Sequence, residues 1–295
     1  MAKDLAERFP AARKTLEAVD QALGLPLTRL MFEGPEAELT ETHNAQPAIL
    51  AHTVAVLAIA APAVDSSAAA AGHSLGEYSA YVAAGALPAT EAARLVRRRG
   101  ELMHQAGSER PGTMAAVLGL ATAEVEAACH AASTGGEVAV AANLNAPDQT
   151  VISGDPGAVT RAGEECRQRG AKRVVPLKVS GAFHSPLMGP AARRLRLALE
   201  QAPFTNPIFP VVANVTGEPV RDADRARRLL GDQLTAPVRW VECMQQAAKL
   251  AGDDVRFIEV GPGAVLTGLL RRILPQARVA SLGTADEVTR FLEAA

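Results

Sequence analysis

The sequence predicts an α/β protein: a mostly parallel-sheet core covered by helices on both faces, interrupted by an inserted βαββαβ unit of the ferredoxin-like kind. Three observations carry this reading. Helical and strand periods alternate along the chain. Six short elements run strand, helix, strand, strand, helix, strand between residues 113 and 179. Glycine-bearing joints, with Gly107 and Gly112 at one end and Ser180-Gly181 at the other, flank that run. The expected division is 1–111 together with 180–295 as the core, and 112–179 as the subdomain. A chain of 295 residues is long enough for one sizeable core plus such an insertion.

Leu5, Phe9, Ala12, Leu16, Val19 and Leu23 recur at helical spacing, so the chain is expected to open inside one amphipathic helix with no strand before it. A second helix is expected at about 46–59. The apolar segment 68–71 leads into Gly72-His73-Ser74-Leu75-Gly76 and a further helix. Alanine is a poor strand former, so the motif, not propensity, predicts a strand there. A helix is expected at 91–106. In the inserted unit, strands at 114–118, 138–142, 150–153 and 173–179 are joined by helices at 123–132 and 157–169. Beyond it, 210–215 and 255–260 read as buried strands of the parallel sheet.

The composition, 48% hydrophobic and 21% charged with only 3% aromatic, is that of a globular protein packed on aliphatic side chains. Thirty basic residues against 32 acidic ones give a net charge of −2, without the excess expected of a nucleic-acid binder. Small molecules or proteins are the expected partners. Cys129, Cys166 and Cys243 match no CxxC or zinc spacing and cannot all pair, which fits a reducing compartment and predicts no metal site. The opening residues Lys3, Asp4, Glu7 and Arg8 are charged, so no signal peptide is expected. The longest apolar stretch, 52–64, reads as too short and too alanine-rich to span a bilayer. A cytoplasmic protein with no membrane partner is expected.

Gly72-His73-Ser74-Leu75-Gly76 fits G-x-S-x-G, in which a tight strand-to-helix turn lifts a serine out of the sheet. Ser74 is then the candidate nucleophile at a helix start, with the Leu75 N–H as oxyanion donor. A serine needs a base. Of six histidines, His43, His52, His104 and His130 lie in predicted helices or loops without a site-like context, and His73 points away from its neighbour on a sharp turn. His184, in Gly181-Ala182-Phe183-His184-Ser185-Pro186, follows a strand and precedes a proline-started helix, the position where α/β active sites assemble.

At about 100° per residue, Ala92, Leu95, Val96, Leu102, Met103 and Ala106 form one apolar stripe with Arg99 at its centre, while Arg97 points away. Arg97 and Arg98 are expected to be solvated. A charge facing the core needs a partner or a site, and a guanidinium can clamp a carboxylate bidentately. A buried structural ion pair is the other reading of Arg99.

These residues resemble the malonyl-CoA:acyl-carrier-protein transacylases of fatty-acid synthesis and the related acyltransferase domains of polyketide synthases. Gly72-His73-Ser74-Leu75-Gly76-Glu77 is similar to the family's elbow, Arg97-Arg98-Arg99-Gly100 sets Arg99 on its carboxylate-binding arginine, and Gly181-Ala182-Phe183-His184-Ser185 resembles the segment bearing its histidine, in the malonyl-selective form. Asn143-x-Asn145-x-Pro147 and Glu259-Val260-Gly261-Pro262-Gly263 are also family-like. The resemblance implies an α/β-hydrolase-like core with a ferredoxin-like subdomain, and a histidine oriented by a main-chain carbonyl, here that of Gln233. It implies malonyl transfer from malonyl-CoA to acyl-carrier protein, with no cofactor. A monomer is expected. The family also opens with a strand and a Gly-Gln-Gly-Ser-Gln loop supplying a second oxyanion donor. This sequence begins past that segment, so the expectation is a misassigned start at Met1, or low activity if the chain starts there.

Two other readings stay open on the residues. G-x-S-x-G with a downstream histidine also describes esterases and thioesterases; an ester hydrolase, however, has no use for the Arg99 clamp. An inactive carrier-protein-binding module is the second.

Overall fold

The computed structural model describes residues 1–294, with 62 and 63 described by their backbone alone. The N-terminal part is helical: α1 (Lys3–Arg8), α2 (Pro10–Leu23), α3 (Leu27–Glu33), α4 (Glu36–Leu39) and α5 (Thr42–Val64). The single opening helix expected from periodicity is two helices. Phe9 is extended and Pro10 begins α2, where a missing N–H costs nothing and a fixed φ starts a new helix. α2 stops at Gly24, whose φ of 64° is left-handed. α5 is longer than expected, and over Thr42–Ala61 it is apolar and long enough to cross a membrane by length and composition. Most of that stretch is buried, packed against α2 and α7 (Ala89–Glu109), which is the environment an all-round apolar helix requires.

After α5 come β1 (Ala70–Ala71) and α6 (Gly76–Ala83), then α7. A βαββαβ run follows as β2 (Thr113–Leu118), α8 (Thr122–Ala132), β3 (Ala139–Ala146), β4 (Gln149–Gly154), α9 (Pro156–Gln168) and β5 (Arg173–Pro176). Its four strands pair antiparallel throughout in the order β3-β4-β2-β5. Period-2 alternation gives the sheet two apolar faces. Ala115, Val117 and Ile152 pack under Val125, Cys129, Val159 and Cys166 of α8 and α9. Met114, Ala142 and Val151 face the other way, towards Phe183.

β3 runs four residues past its expected end. Register shifts at Ala141/Asn143 and Leu144/Ala146 bend it out of its own sheet, where Asn143 bridges Val238 and Ala146 enters a core cluster with Val212 and Trp240. The remainder comprises α10 (Gly189–Gln201), β6 (Val211–Val212), β7 (Pro219–Val220), α11 (Ala223–Asp232), α12 (Trp240–Ala251), β8 (Arg256–Val260), α13 (Val265–Ile273), β9 (Arg278–Leu282) and α14 (Ala285–Glu293).

The one continuous parallel sheet expected for the core is found in two pieces. β1 pairs parallel with β6, which pairs antiparallel with β7, and β8 pairs parallel with β9. Between β1 and β8 lies a cavity of about 670 Å³, lined by Ala70, Gly72, Leu75, Ile258 and Val260 among others, so the two pieces face each other without hydrogen bonding. β6 covers only two residues of the expected 210–215, because Ala213 and Asn214 turn into a loop closed by Gly217, at φ 66°.

The two glycine-bearing segments that flank the βαββαβ run pack directly on one another. A Cβ at Gly107 would lie 1.9 Å from the Ser180 carbonyl oxygen, and one at Gly112 would lie 2.5 Å from the Ala182 Cβ. The end of α7 therefore rests against the chain that leads into His184. Gly107→Ala is expected to displace that segment and lower kcat about 10- to 100-fold with the fold retained, as follows from a misplacement near 1 Å. Steady-state kinetics beside a melting curve would check it.

Candidate active site

β1 delivers the chain to a sharp turn at Ser74, whose φ is 53°, in the left-handed region that a residue with a Cβ rarely adopts. The turn is possible because Gly72 approaches the next turn closely: a Cβ there would sit 1.9 Å from the Gly76 carbonyl oxygen. Gly76, by contrast, has open space where its Cβ would be, so the first glycine of the motif is the sterically required one. Asn214 fixes the turn from the end of β6. Its Oδ1 accepts from the Ser74 N–H at 2.8 Å and its Nδ2 donates to the Gly72 carbonyl at 2.8 Å. Leu75 is the N-cap of α6, a position at which backbone N–H groups lie beyond the reach of intrahelical acceptors.

His184 also has a positive φ, 56°, and is buried. Its Nε2 lies 2.8 Å from Ser74 Oγ, and its Nδ1 lies 2.9 Å from the Gln233 carbonyl oxygen. A carbonyl only accepts, so Nδ1 carries the proton and Nε2 is left bare to accept from the serine hydroxyl. Burial, then the Arg99 charge, pushes the imidazole down to about 3. The neutral base thus persists far below the ordinary range. At saturating donor, the rate of Ser74 acylation should stay flat from about pH 8 to about pH 4, rather than falling through the usual histidine range. Rapid-quench acylation across that interval would check it.

Arg99 is 1% exposed, at the centre of the apolar face of α7 as its spacing predicts. Its guanidinium donates to Gln46 Oε1, to Ser74 Oγ at 2.9 Å and to Gln233 Oε1 at 3.0 Å. All three acceptors are neutral. The buried ion pair weighed for Arg99 is not what holds it. Arg97 corrects an expectation: it is mostly buried, donating to the His43 carbonyl, Asn44 and Glu101. Arg98 is half exposed.

Ser74, His184, Arg99 and Gln233 therefore converge, with Leu75 beside them. The remaining histidines stand apart. His73 Nε2 meets Asn145 Oδ1 at 2.8 Å, and its ring packs edge-on to Trp240. His52 meets the Gly283 carbonyl, and His43 packs on His104. The three cysteines are buried and unpaired by disulfides.

Three residues in the cluster had no assigned role on sequence grounds: Gln46, Asn214 and Glu77. Gln46 sits in an apolar helix and Asn214 in the loop after β6, so only the contacts reveal them. Glu77 follows the elbow immediately, and its complete burial is the signal.

The acyl transferase domain family matches residues 1–293. The chain is similar to the malonyl CoA-acyl carrier protein transacylase of Bacillus subtilis, 40% identical over 290 residues that cover 98% of this chain and 90% of that one. Among solved structures it is similar to an acyl carrier protein S-malonyltransferase from Vibrio cholerae, with a TM-score of 0.93 and 39% identity over 99% of this chain and 94% of that one. It is also similar to a malonyl-transacylase solved in complex with its type II PKS acyl-carrier protein, with a TM-score of 0.94 and 39% identity over 100% and 95% of the two chains.

Proposed function

The chain belongs to the acyl transferase domain family, and on that premise we propose that it transfers a malonyl group from malonyl-CoA to the pantetheine thiol of acyl-carrier protein, in fatty-acid biosynthesis, through a malonyl ester on Ser74. In the first half-reaction His184 Nε2 takes the Ser74 proton as the oxygen attacks the thioester carbonyl. The oxyanion that forms is met by the Leu75 N–H at the start of α6. Collapse expels the CoA thiolate, which leaves with the proton from His184. In the second, His184 deprotonates the pantetheine thiol, the sulfur attacks the ester, and Ser74 departs with the proton. Gln233 holds the imidazole through its carbonyl. Each step is a proton transfer or an acyl exchange, so the chemistry as written calls on no metal or cofactor.

The observation that carries the malonyl reading is Arg99: a buried cation beside the nucleophile, bonded only to neutral oxygens. A free carboxylate two carbons from the reacting carbonyl gives that charge its partner. Hydrolysis of a simple ester offers no such group. The fold reading is that of an α/β-hydrolase-like core, 1–111 with 180–295, carrying a ferredoxin-like subdomain, 112–179. The antiparallel strand order β3-β4-β2-β5, which interleaves two βαβ halves, supports it. A cytoplasmic setting fits three free thiols.

The test is to incubate the protein with malonyl-CoA and pantetheinylated acyl-carrier protein, and to weigh the carrier protein. A gain of one malonyl group on the pantetheine thiol is expected. Free malonate with an unaltered carrier protein would make the chain a thioesterase instead.

A further inference from the structure

Glu77 is a fully buried carboxylate that no step of the reaction uses. Its Oε2 accepts from the Asn214 N–H at 3.1 Å and from Gln233 Nε2 at 2.7 Å, and the same Nε2 donates to the Ser74 carbonyl at 3.0 Å. The other end of the Gln233 amide, Oε1, accepts from Arg99. One side-chain amide thus stands between the buried anion and the buried cation, and its carbonyl end is turned to the cation because its NH₂ end is held by the anion. Asn214, also held by Glu77, clasps the Ser74 N–H.

We propose that Glu77 is a positioning residue whose negative charge, relayed through the Gln233 amide, offsets the Arg99 guanidinium in the empty site and so sets how strongly that guanidinium holds an acyl carboxylate. The proposal rests on the malonyl reading of Arg99. While Glu77 is ionised, an incoming carboxylate enters a site that already holds one anion for its one cation. A neutral Glu77 leaves the guanidinium to the substrate alone.

The charge is poised to change in the neutral range. Burial raises the Glu77 carboxyl to about 7, against the opposing pull of Gln233, Asn214 and Arg99. The titratable groups around it, on its own helix and on the segments packed against it, are silent there. Burial pushes the phenols of Tyr78 and Tyr81 and the thiol of Cys243 upward, out of the neutral range, and lowers His73 and His184. Burial lowers the Arg99 guanidinium too, from a starting value so high that it stays protonated across the neutral range. The sign follows: as pH falls through about 7 Glu77 gains a proton, and the hold on an acyl carboxylate tightens.

Glu77→Gln keeps an oxygen for both donors and removes the charge. It should lower KM for malonyl-CoA by roughly three- to tenfold above pH 8 and abolish the KM step near pH 7, leaving KM for acetyl-CoA unmoved. Glu77→Leu removes the acceptor as well and should cut kcat, because Gln233 and Asn214 are then released. A Glu77→Gln protein with the KM–pH profile of the parent would overturn the proposal. Should that variant not fold, calorimetry decides on a Ser74→Ala protein that keeps Glu77. At pH 7.5, in buffers of different ionisation enthalpy, malonyl-CoA should bind with more proton uptake than acetyl-CoA, which shares every CoA phosphate. Equal uptake would overturn it. Failure of the malonyl reading itself would show separately, as an unmodified Ser74 after exposure of the parent protein to malonyl-CoA.

Discussion

Ser74→Ala is expected to eliminate the covalent acyl-enzyme and to lower malonyl transfer by about 10⁴-fold or more, the scale on which removal of a serine nucleophile acts. The expectation comes from how many contacts converge on that oxygen. Ser74 Oγ lies 2.8 Å from a bare imidazole nitrogen and 2.9 Å from a guanidinium nitrogen, on a backbone turn that holds it out of the sheet. Among the described residues no other serine shares that arrangement; Ser185, the residue next to His184, spends its hydroxyl on the Ala182 carbonyl. The elbow is stabilised by backbone and Asn214 contacts that alanine leaves intact, so the variant should fold. Stopped-flow release of CoA, with a melting curve alongside, checks both halves. A burst of CoA from the alanine variant would count against Ser74.

Arg99→Ala is expected to cost malonyl transfer about 10²- to 10³-fold in kcat/KM, equivalent to roughly 3–4 kcal/mol, the worth of a desolvated charge-assisted pair. Acetyl transfer should suffer much less, so preference moves towards the uncharged acyl group. The cost also has a structural part, because Gln46, Gln233 and Ser74 lose a common donor and Glu77 loses its nearby cation. The ratio of malonyl to acetyl rates separates the two contributions: a structural collapse lowers both alike. Competition between the two CoA esters in one assay would read that ratio directly, and an unchanged ratio would dismiss the carboxylate role.

Why these residues could be read from sequence, and others not, follows from where their chemistry resides. Ser74 is announced by the steric demand for glycine at Gly72, which leaves a local trace in the chain. Arg99 is announced by its place on a helix, since a charge at the centre of an apolar stripe is visible by counting. His184 is legible as the histidine that follows the last strand of the βαββαβ run. Gln233 acts on that histidine through its main-chain carbonyl, a group every residue has, so spacing alone could not single it out and only the resemblance did.

Gln46 meets Arg99 across 53 residues, and Glu77, although it adjoins the elbow, meets Gln233 across 156, pairings that no local pattern encodes. At the level of the fold, the βαββαβ run was legible because its short strands and helices follow one another without interruption between two glycine-bearing joints. The far end of β3 was not, since its bulges leave one sheet to meet Val238. The break at Phe9-Pro10 was hidden by an apolar spacing that runs through both helices. The core sheet was read as continuous because apolar runs report burial, whereas pairing between β1 and β8 depends on how far apart their edges lie.

The most direct test of the central claim is the mass of the intact protein, followed by that of its peptides, after brief exposure to malonyl-CoA or to acetyl-CoA. The account predicts one added malonyl group, carried by the peptide that contains Ser74, and little or no acetyl adduct. A protein that is unmodified by malonyl-CoA, or modified on a peptide lacking Ser74, would contradict it.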